Sequence, residues 1–307
     1  MLNYEIVLWA GFFYDIKAIK EQIDITISLR TNYRKRIFFI WERTGEDIVI
    51  PRTRLLQKLI DWGSDGIIAL NNEHVEQLLA LGVSLESIHL LPPGVDGVNQ
   101  FRPATNVDKE KNKRRLGWPY KKVIVLIAGR LVKRKRLDWF LNIWTKDAFL
   151  QKNAHLIILG ALYGDDPELE ELIINTSTFN ESVQLIPFKE SLNRAEFYRA
   201  ADFLLLPAKL EGEPTVLSEA MACGLPAVAS NIAGHKALVK HSVTGLLFEQ
   251  DNPESILSAM HMMINNKRFR TKLGRASRKL IMEEREISVV ARKYLSFLVK
   301  DVLDTCS

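Results

Sequence analysis

The chain has 307 residues, 47% hydrophobic and 26% charged, a composition that fits two folded α/β-sized domains and excludes a disordered or low-complexity protein. Two cysteines, Cys223 and Cys306, exclude a disulfide framework, and no spacing resembles a zinc site, so a reducing compartment is expected. The net charge of +5 is uneven: residues 1–100 carry 10 Lys and Arg against 13 Asp and Glu, the remainder 32 against 24. That asymmetry suits an anionic ligand or an anionic membrane surface in the second part, and no basic stripe with interleaved aromatics speaks for nucleic acid.

Taken in order, Glu5–Phe13, Ile23–Leu29 and Arg36–Trp41 are short apolar runs with the length of strands. The first lacks a basic region ahead of it and so reads as a strand rather than a signal peptide, and no run reaches the length of a membrane span. Arg54–Trp62 reads as a helix, Gly66–Leu70 as a strand, Asn71–Leu81 as an Asn-capped helix and Ile88–Leu91 as a strand. Residues 97–120, polar and lysine-rich, read as a boundary or linker. Lys121–Ala128 is then almost uninterrupted in its apolar character, the mark of a strand covered on both faces.

Strands follow at His155–Leu159, Val183–Ile186, Phe203–Leu206, Pro226–Ala229 and Gly245–Phe248. Helices are expected at Leu137–Trp144, Glu168–Asn175, Arg194–Ala201 and Val216–Ala222, and throughout the chain after Pro253. The alternation predicts an α/β fold with a parallel, Rossmann-like sheet.

Ligands of such sheets bind beyond the carboxyl ends of the strands, where three segments collect. Gly129 and Arg130 follow the strand ending at Ala128, with Lys133, Arg134, Lys135 and Arg136 next. The glycine lets backbone approach a ligand, an arginine fork can grip a diphosphate, and a lysine supplies a point charge. Glu211 to Ala220 lies between a strand and a helix that starts at Pro214 and Thr215. Its carboxylates can accept hydroxyl hydrogen bonds while the helix start receives phosphate. A third segment, Ser230 to Gly234, reads as a glycine loop after the next strand.

The run EGEPTVLSEAMACGLP, from Glu211 to Pro226 with Glu219 eight residues after Glu211, resembles the donor domain of a large glycosyltransferase family. This is the retaining GT-B family GT4, glycosyl transferases group 1, with two facing Rossmann-like domains. Leu206-Pro207, Gly234, Thr244-Gly245-Leu246 and Pro93-Gly94-Val95-Asp96 extend the likeness from about residue 64 to the end. The resemblance implies that Arg130 and Lys135 bind the donor diphosphate and that Lys135 steadies the departing charge. It implies that Glu211 holds hydroxyls of the transferred sugar, that Glu219 holds the ribose, and that the Thr215 and Val216 amides meet phosphate. Gly129, Glu213, Pro214, Asn231 and Gly234 are counted with them as donor-binding positions. No metal and no cofactor are required beyond the nucleotide diphosphate sugar itself.

The resemblance also implies domains at 1–103 on the acceptor side and 104–285 on the donor side, with 286–307 a terminal helix returning toward the first. The first is abbreviated by family standards, and Glu42 and Arg43 are its best acceptor-side candidates. Arg136 stands where a glycine is common, and Lys236 where a glutamate is common, with Asn231 and His235 beside it. The function this implies is transfer of a hexose to a glycan or lipid-linked sugar acceptor, in the cytoplasm or at the inner face of the plasma membrane, for cell-envelope polysaccharide. The alternative is a partner-dependent or non-catalytic nucleotide-sugar-binding protein.

Overall fold

The computed structural model describes residues 6–10, 36–41, 66–161, 166–189 and 192–304. The expected strand Ile23–Leu29, the helix Arg54–Trp62 and the pair Glu42 and Arg43 lie outside the described residues. Contacts divide the chain into two compact units, Met1–Pro93 with Lys293–Ser307, and Gly94–Arg292.

In the first unit, β1 (Ile6–Ala10), β2 (Arg36–Trp41), β3 (Gly66–Ala69) and β4 (Ile88–Leu90) pair in that order, all parallel. Helix α1 (Asn72–Ala80) joins β3 to β4. It starts where the Asn71 side chain accepts the His74 amide at 2.8 Å, the capping that its sequence predicts.

The second unit holds a six-stranded parallel sheet of β5 (Val123–Ala128), β6 (Ala154–Gly160), β7 (Val183–Pro187), β8 (Phe203–Leu206), β9 (Ala227–Ser230) and β10 (Gly245–Phe248). Its order is β10-β9-β8-β5-β6-β7, so the direction of winding reverses between β5 and β8. Such a reversal leaves a crevice at the carboxyl ends of those two strands.

Ten α-helices follow α1 among the described residues. They are α2 (Asn106–Arg115), α3 (Leu137–Trp144), α4 (Ala148–Asn153), α5 (Pro167–Phe179), α6 (Arg194–Ala200), α7 (Thr215–Ala222), α8 (Ala233–Lys236), α9 (Pro253–Asn265), α10 (Lys267–Glu284) and α11 (Ile287–Asp304).

Alternate residues of each strand serve the two faces, which is why β5 is apolar almost throughout. Ile124, Leu126, Leu204 and Ala229 pack with Tyr198, Leu217 and Met221 on one side. Val125, Ile127, Phe203 and Val228 pack with Phe140, Trp144, Met260 and Leu273 on the other. Each such buried side chain contributes roughly 1.5–3 kcal/mol. Trp144 is fully buried because its indole N–H finds Ser182 Oγ at 2.9 Å.

Two sequence expectations change. Residues 106–115 form a helix of the second unit instead of a linker, capped by Thr105, which accepts the Asp108 amide at 3.2 Å. Its lysines have a buried partner that periodicity cannot reveal: Lys113 Nζ lies 2.6 Å and Lys109 Nζ 2.8 Å from the Asp202 carboxylate. Asp202, just before β8, also accepts the Ile124 amide at 2.8 Å and returns its own amide to the Ile124 carbonyl. Burial raises the Asp202 carboxyl, but the two ammonium groups outweigh it and hold the group well below the usual carboxylate range. The second change is at 233–236, where the expected glycine loop turns into the short helix α8.

Candidate donor site

The crevice between β5 and β8 contains a cavity of about 310 Å³. Its first wall is the turn after β5. Gly129 has φ +118, and a Cβ there would stand 3.0 Å from Lys135 Nζ, so only glycine leaves that space to the ammonium. Lys133–Lys135 form one 3-10 turn that ends at Arg136, with φ 57 and ψ 34 in the left-handed region. Arg136 turns away from the cavity. It reaches Asp251 at 2.7 Å and lies 5.4 Å over the Trp139 ring, so its effect extends beyond the added basicity that its position suggests. Arg130, Arg134 and Lys135 line the cavity.

The second wall comes from the segment between β8 and α7. The Lys209 amide donates to the Arg134 carbonyl at 2.9 Å, which ties this segment to the basic turn. Glu211 Oε1 lies 2.9 Å from Lys135 Nζ, and Oε2 lies 3.3 Å from His235 Nε2. Burial pushes the Glu211 carboxyl up, but the His235 hydrogen bond and the Lys135 charge outweigh it and hold the group at about 2. Pro214, Thr215 and Val216 bring the start of α7 to the cavity, where its first amides have no partner within the helix.

Glu219, one turn further on, is not part of the cavity wall. Its Oε1 accepts from Arg194 Nη2 at 2.6 Å, and its Oε2 accepts from Tyr198 Oη at 2.7 Å. Burial raises its carboxyl, with Tyr198 and Arg194 opposing. Arg194 does line the cavity, so Glu219 is linked to it through that side chain.

Seven of the residues singled out in the sequence therefore share the cavity: Gly129, Arg130, Lys135, Glu211, Pro214, Thr215 and Val216. Three do not. Glu213 is gripped by Arg285, Nε to Oε1 at 3.0 Å and Nη2 to Oε2 at 3.2 Å. Asn231 donates to Glu249 Oε1 at 2.8 Å. Gly234 packs against backbone, since a Cβ there would stand 1.8 Å from the Gly212 carbonyl oxygen and 2.2 Å from that of Glu211. Its missing side chain makes room for the Glu211 loop and not for a ligand.

Arg194 and Phe188 escape the sequence reading, which reaches His235 only as a neighbour that could compensate for Lys236. Arg194 begins α6 at the carboxyl edge of the sheet, a place the strand order makes significant once it is known. His235 carried a signal, a titratable residue beside Gly234, but its burial against Glu211 depends on the close approach of two loops. Lys236 is exposed. Among the described residues no group of three His, Cys, Asp or Glu side chains could hold a metal ion.

The glycosyl transferases group 1 family matches residues 108–280, more than half of the chain and the whole of this cavity. The chain belongs to that family. It is 28% identical over 239 residues to the D-inositol 3-phosphate glycosyltransferase of Xylanimonas cellulosilytica, covering 76% of this chain and 56% of that protein. A glycosyltransferase of Haemophilus influenzae is 31% identical over 201 residues, covering 65% and 53%. The chain thus spans little more than half the length of these relatives.

Among solved structures, HepE of Anabaena in complex with UDP superposes with a TM-score of 0.83 at 17% identity, covering 97% of this chain and 79% of that one. Sucrose-phosphate synthase of Thermosynechococcus elongatus gives 0.77 at 18%, covering 93% and 72%. At such identities the likeness speaks for fold, and the fold is α/β with two Rossmann-like sheets of the GT-B kind.

Proposed function

We propose that this chain is a hexosyltransferase that binds a nucleotide diphosphate sugar in the cavity between β5 and β8. It moves the sugar to a glycan or lipid-linked acceptor with retention of anomeric configuration. The observation that carries this reading is the Lys135–Glu211 pair, a cation and an ionised carboxylate 2.9 Å apart in one cavity beside the start of a helix. A sugar diphosphate needs both halves of that arrangement, positive charge for phosphate and acceptor oxygens for hydroxyls.

Arg130 and Lys135 hold the diphosphate together with the first amides of α7, and Lys135 steadies the charge that grows on it as the glycosidic bond breaks. Glu211 accepts hydroxyls of the transferred sugar. Glu219, held by Arg194, stands toward the nucleoside. These cations supply the stabilisation that a metal would otherwise give, and the reaction proceeds without one. The incoming hydroxyl attacks on the face that the diphosphate leaves. The names of the relatives support a sugar-transfer reading, and HepE's complex with UDP supports a nucleotide in this cavity. The cytoplasm, or the inner face of the plasma membrane, is the expected place of work. No helix among the described residues is long and apolar enough to cross a membrane.

The test is a panel of nucleotide diphosphate sugars screened by thermal shift, followed by turnover with glycan and lipid-linked acceptors. One donor should stabilise the protein in proportion to its concentration. Arg130→Ala with Lys135→Ala should weaken that binding and flatten its salt dependence, and Glu211→Ala should abolish transfer. Unchanged donor affinity in the double variant would overturn the assignment. Binding without turnover would favour the partner-dependent alternative.

A further inference from the structure

We propose that Arg285 is a positioning residue for the donor cavity: through Glu213 it sets where the start of α7 stands, and with it the amides of Thr215 and Val216. The inference rests on the donor-site reading above and names a residue outside the cavity on which that site depends.

The start of α7 has few side-chain anchors of its own. Pro214 stands at its N-cap and offers no side-chain oxygen, so the helix begins without the usual cap. Pro214, Thr215 and Val216 line the cavity, and the neighbouring anchor is Glu213. The Glu213 side chain is 1% exposed, and both of its oxygens are taken by the Arg285 guanidinium, Nε and Nη2. A buried ion pair adds little stability over apolar groups of the same size. What the arginine fork adds is direction, since two parallel bonds fix the carboxylate in place and in plane.

The fork is mounted on a fixed support. Arg285 closes α10, its amide donating to the Ile281 carbonyl at 2.8 Å. Its own carbonyl accepts the Val95 amide at 2.9 Å, and the Val95 carbonyl accepts the Ile287 amide at 3.0 Å. Helix α10 also holds the far end of α7, where Arg278 Nη1 donates to the Ala222 carbonyl at 2.6 Å. Arg278 and Arg285 are two turns apart, about 10 Å along the axis, which matches the length of an eight-residue helix. The two helices therefore run in opposite directions, and α10 grips α7 at each end. Arg278 meets its carboxyl end, and Arg285 meets the end that faces the cavity.

A contact that acts by placement differs from one that acts by charge. Charge alone predicts opposite signs: loss of Glu213 should strengthen the binding of an anion, and loss of Arg285 should weaken it. Placement predicts that both losses weaken it, because each frees the same helix start.

Hydrogen exchange in the unliganded protein tests the hold on α7. The Leu217 amide, which donates to the Pro214 carbonyl at 2.9 Å, reports on the first turn. In Arg285→Gln its exchange should quicken at least tenfold more than that of Val125 and Ile127 in β5. An unchanged Leu217 rate, or an equal rise in β5, overturns the proposal. This arm needs no donor, so it stands or falls apart from the functional reading.

Calorimetric titration with UDP, GDP and ADP, well below the unfolding midpoint, tests the consequence for the cavity. The nucleotide that binds the wild type should bind about tenfold more weakly to Arg285→Gln and to Glu213→Gln, the scale of one charge-assisted contact. The double variant should lose no more than either single one, because both break the same link. Arg285→Lys keeps a charge beside Glu213 but not the fork, and should bind as weakly as Arg285→Gln. Tighter binding by Glu213→Gln, additive losses, or full affinity with lysine each overturns the proposal. Failure of all three nucleotides to bind, with Leu217 exchange as expected, would sink the donor reading and uphold Arg285's hold on α7.

Discussion

Lys135 and Glu211 meet 2.9 Å apart although one follows β5 and the other follows β8, so their pairing spans the point where the sheet reverses its winding. Their side chains are only 10% and 7% exposed, and removing either leaves a charge with little solvent to replace its partner. In a dry interior that loss costs about 3–5 kcal/mol, and the adjoining cavity should bring it nearer 2. Lys135→Ala should therefore lower unfolding free energy in urea by about 2 kcal/mol, and Lys135→Ala with Glu211→Ala by less than the sum of the single losses. Strict additivity would show that the two groups are not coupled.

Acid should undo the Glu211 anchoring. Its folded-state pKa is held at about 2 against an ordinary value of 4.5, so its stabilisation is complete above the ordinary value and fades as pH falls toward the folded one. A shift of that size corresponds to about 3 kcal/mol. Asp202 contributes an acid dependence of the same sign, so the comparison must be a difference. Wild type minus Glu211→Gln should show a stability gap that closes between about pH 4.5 and 2. A gap independent of pH would place the effect of the substitution elsewhere.

The residue after Lys135 sits in the left-handed region, where a side chain costs about 1–2 kcal/mol. Arg136→Gly removes that strain, but it loosens the unfolded chain by about 0.5–1 kcal/mol and gives up an exposed ion pair of about 0.5 kcal/mol. These terms nearly cancel, so Arg136→Gly should unfold within about 1 kcal/mol of wild type. Arg136→Val keeps the strain and worsens it, and should lose about 2 kcal/mol. Equal losses in both would mean that the Asp251 pair and the Trp139 contact dominate.

Asp202 offers the converse experiment. Asp202→Ala leaves Lys113, whose side chain is 7% exposed, without its carboxylate, and should cost about 3 kcal/mol of stability. Nucleotide diphosphate affinity measured well below the unfolding midpoint should stay within about twofold of wild type. A large affinity loss would mean that this cluster and the cavity are coupled through β5.

The parallel sheet and most of the cavity were legible because their signals are local. An apolar run such as 121–128 can only be a strand covered on both faces, and a strand followed by glycine and arginine marks its ligand end. The long motif beginning at Glu211 added the facing wall. What escaped was everything decided by distant partners. Glu213 reads like its neighbours in the motif, and only the fold brings Arg285 to it across 72 positions. Glu219 is engaged by Arg194 and Tyr198, which belong to the preceding helix. The lysines of α2 looked like linker because the acid that neutralises them stands 89 residues away. Gly234 looked like a ligand glycine because sequence cannot tell a nearby phosphate from a nearby backbone.

Asp202 is tied to β5 at Ile124, near the strand's beginning, whereas Gly129 and Arg130 follow its end. One rim of the sheet thus secures the architecture and the opposite rim meets solutes. Variation at exposed outlet-rim positions such as Arg130, outside the buried Lys135–Glu211 pair, can explore new ligands while thermal endurance is kept, and reinforcement near Asp202 can raise endurance while ligand choice is kept. Engineering the two properties in separate rounds follows from that polarity.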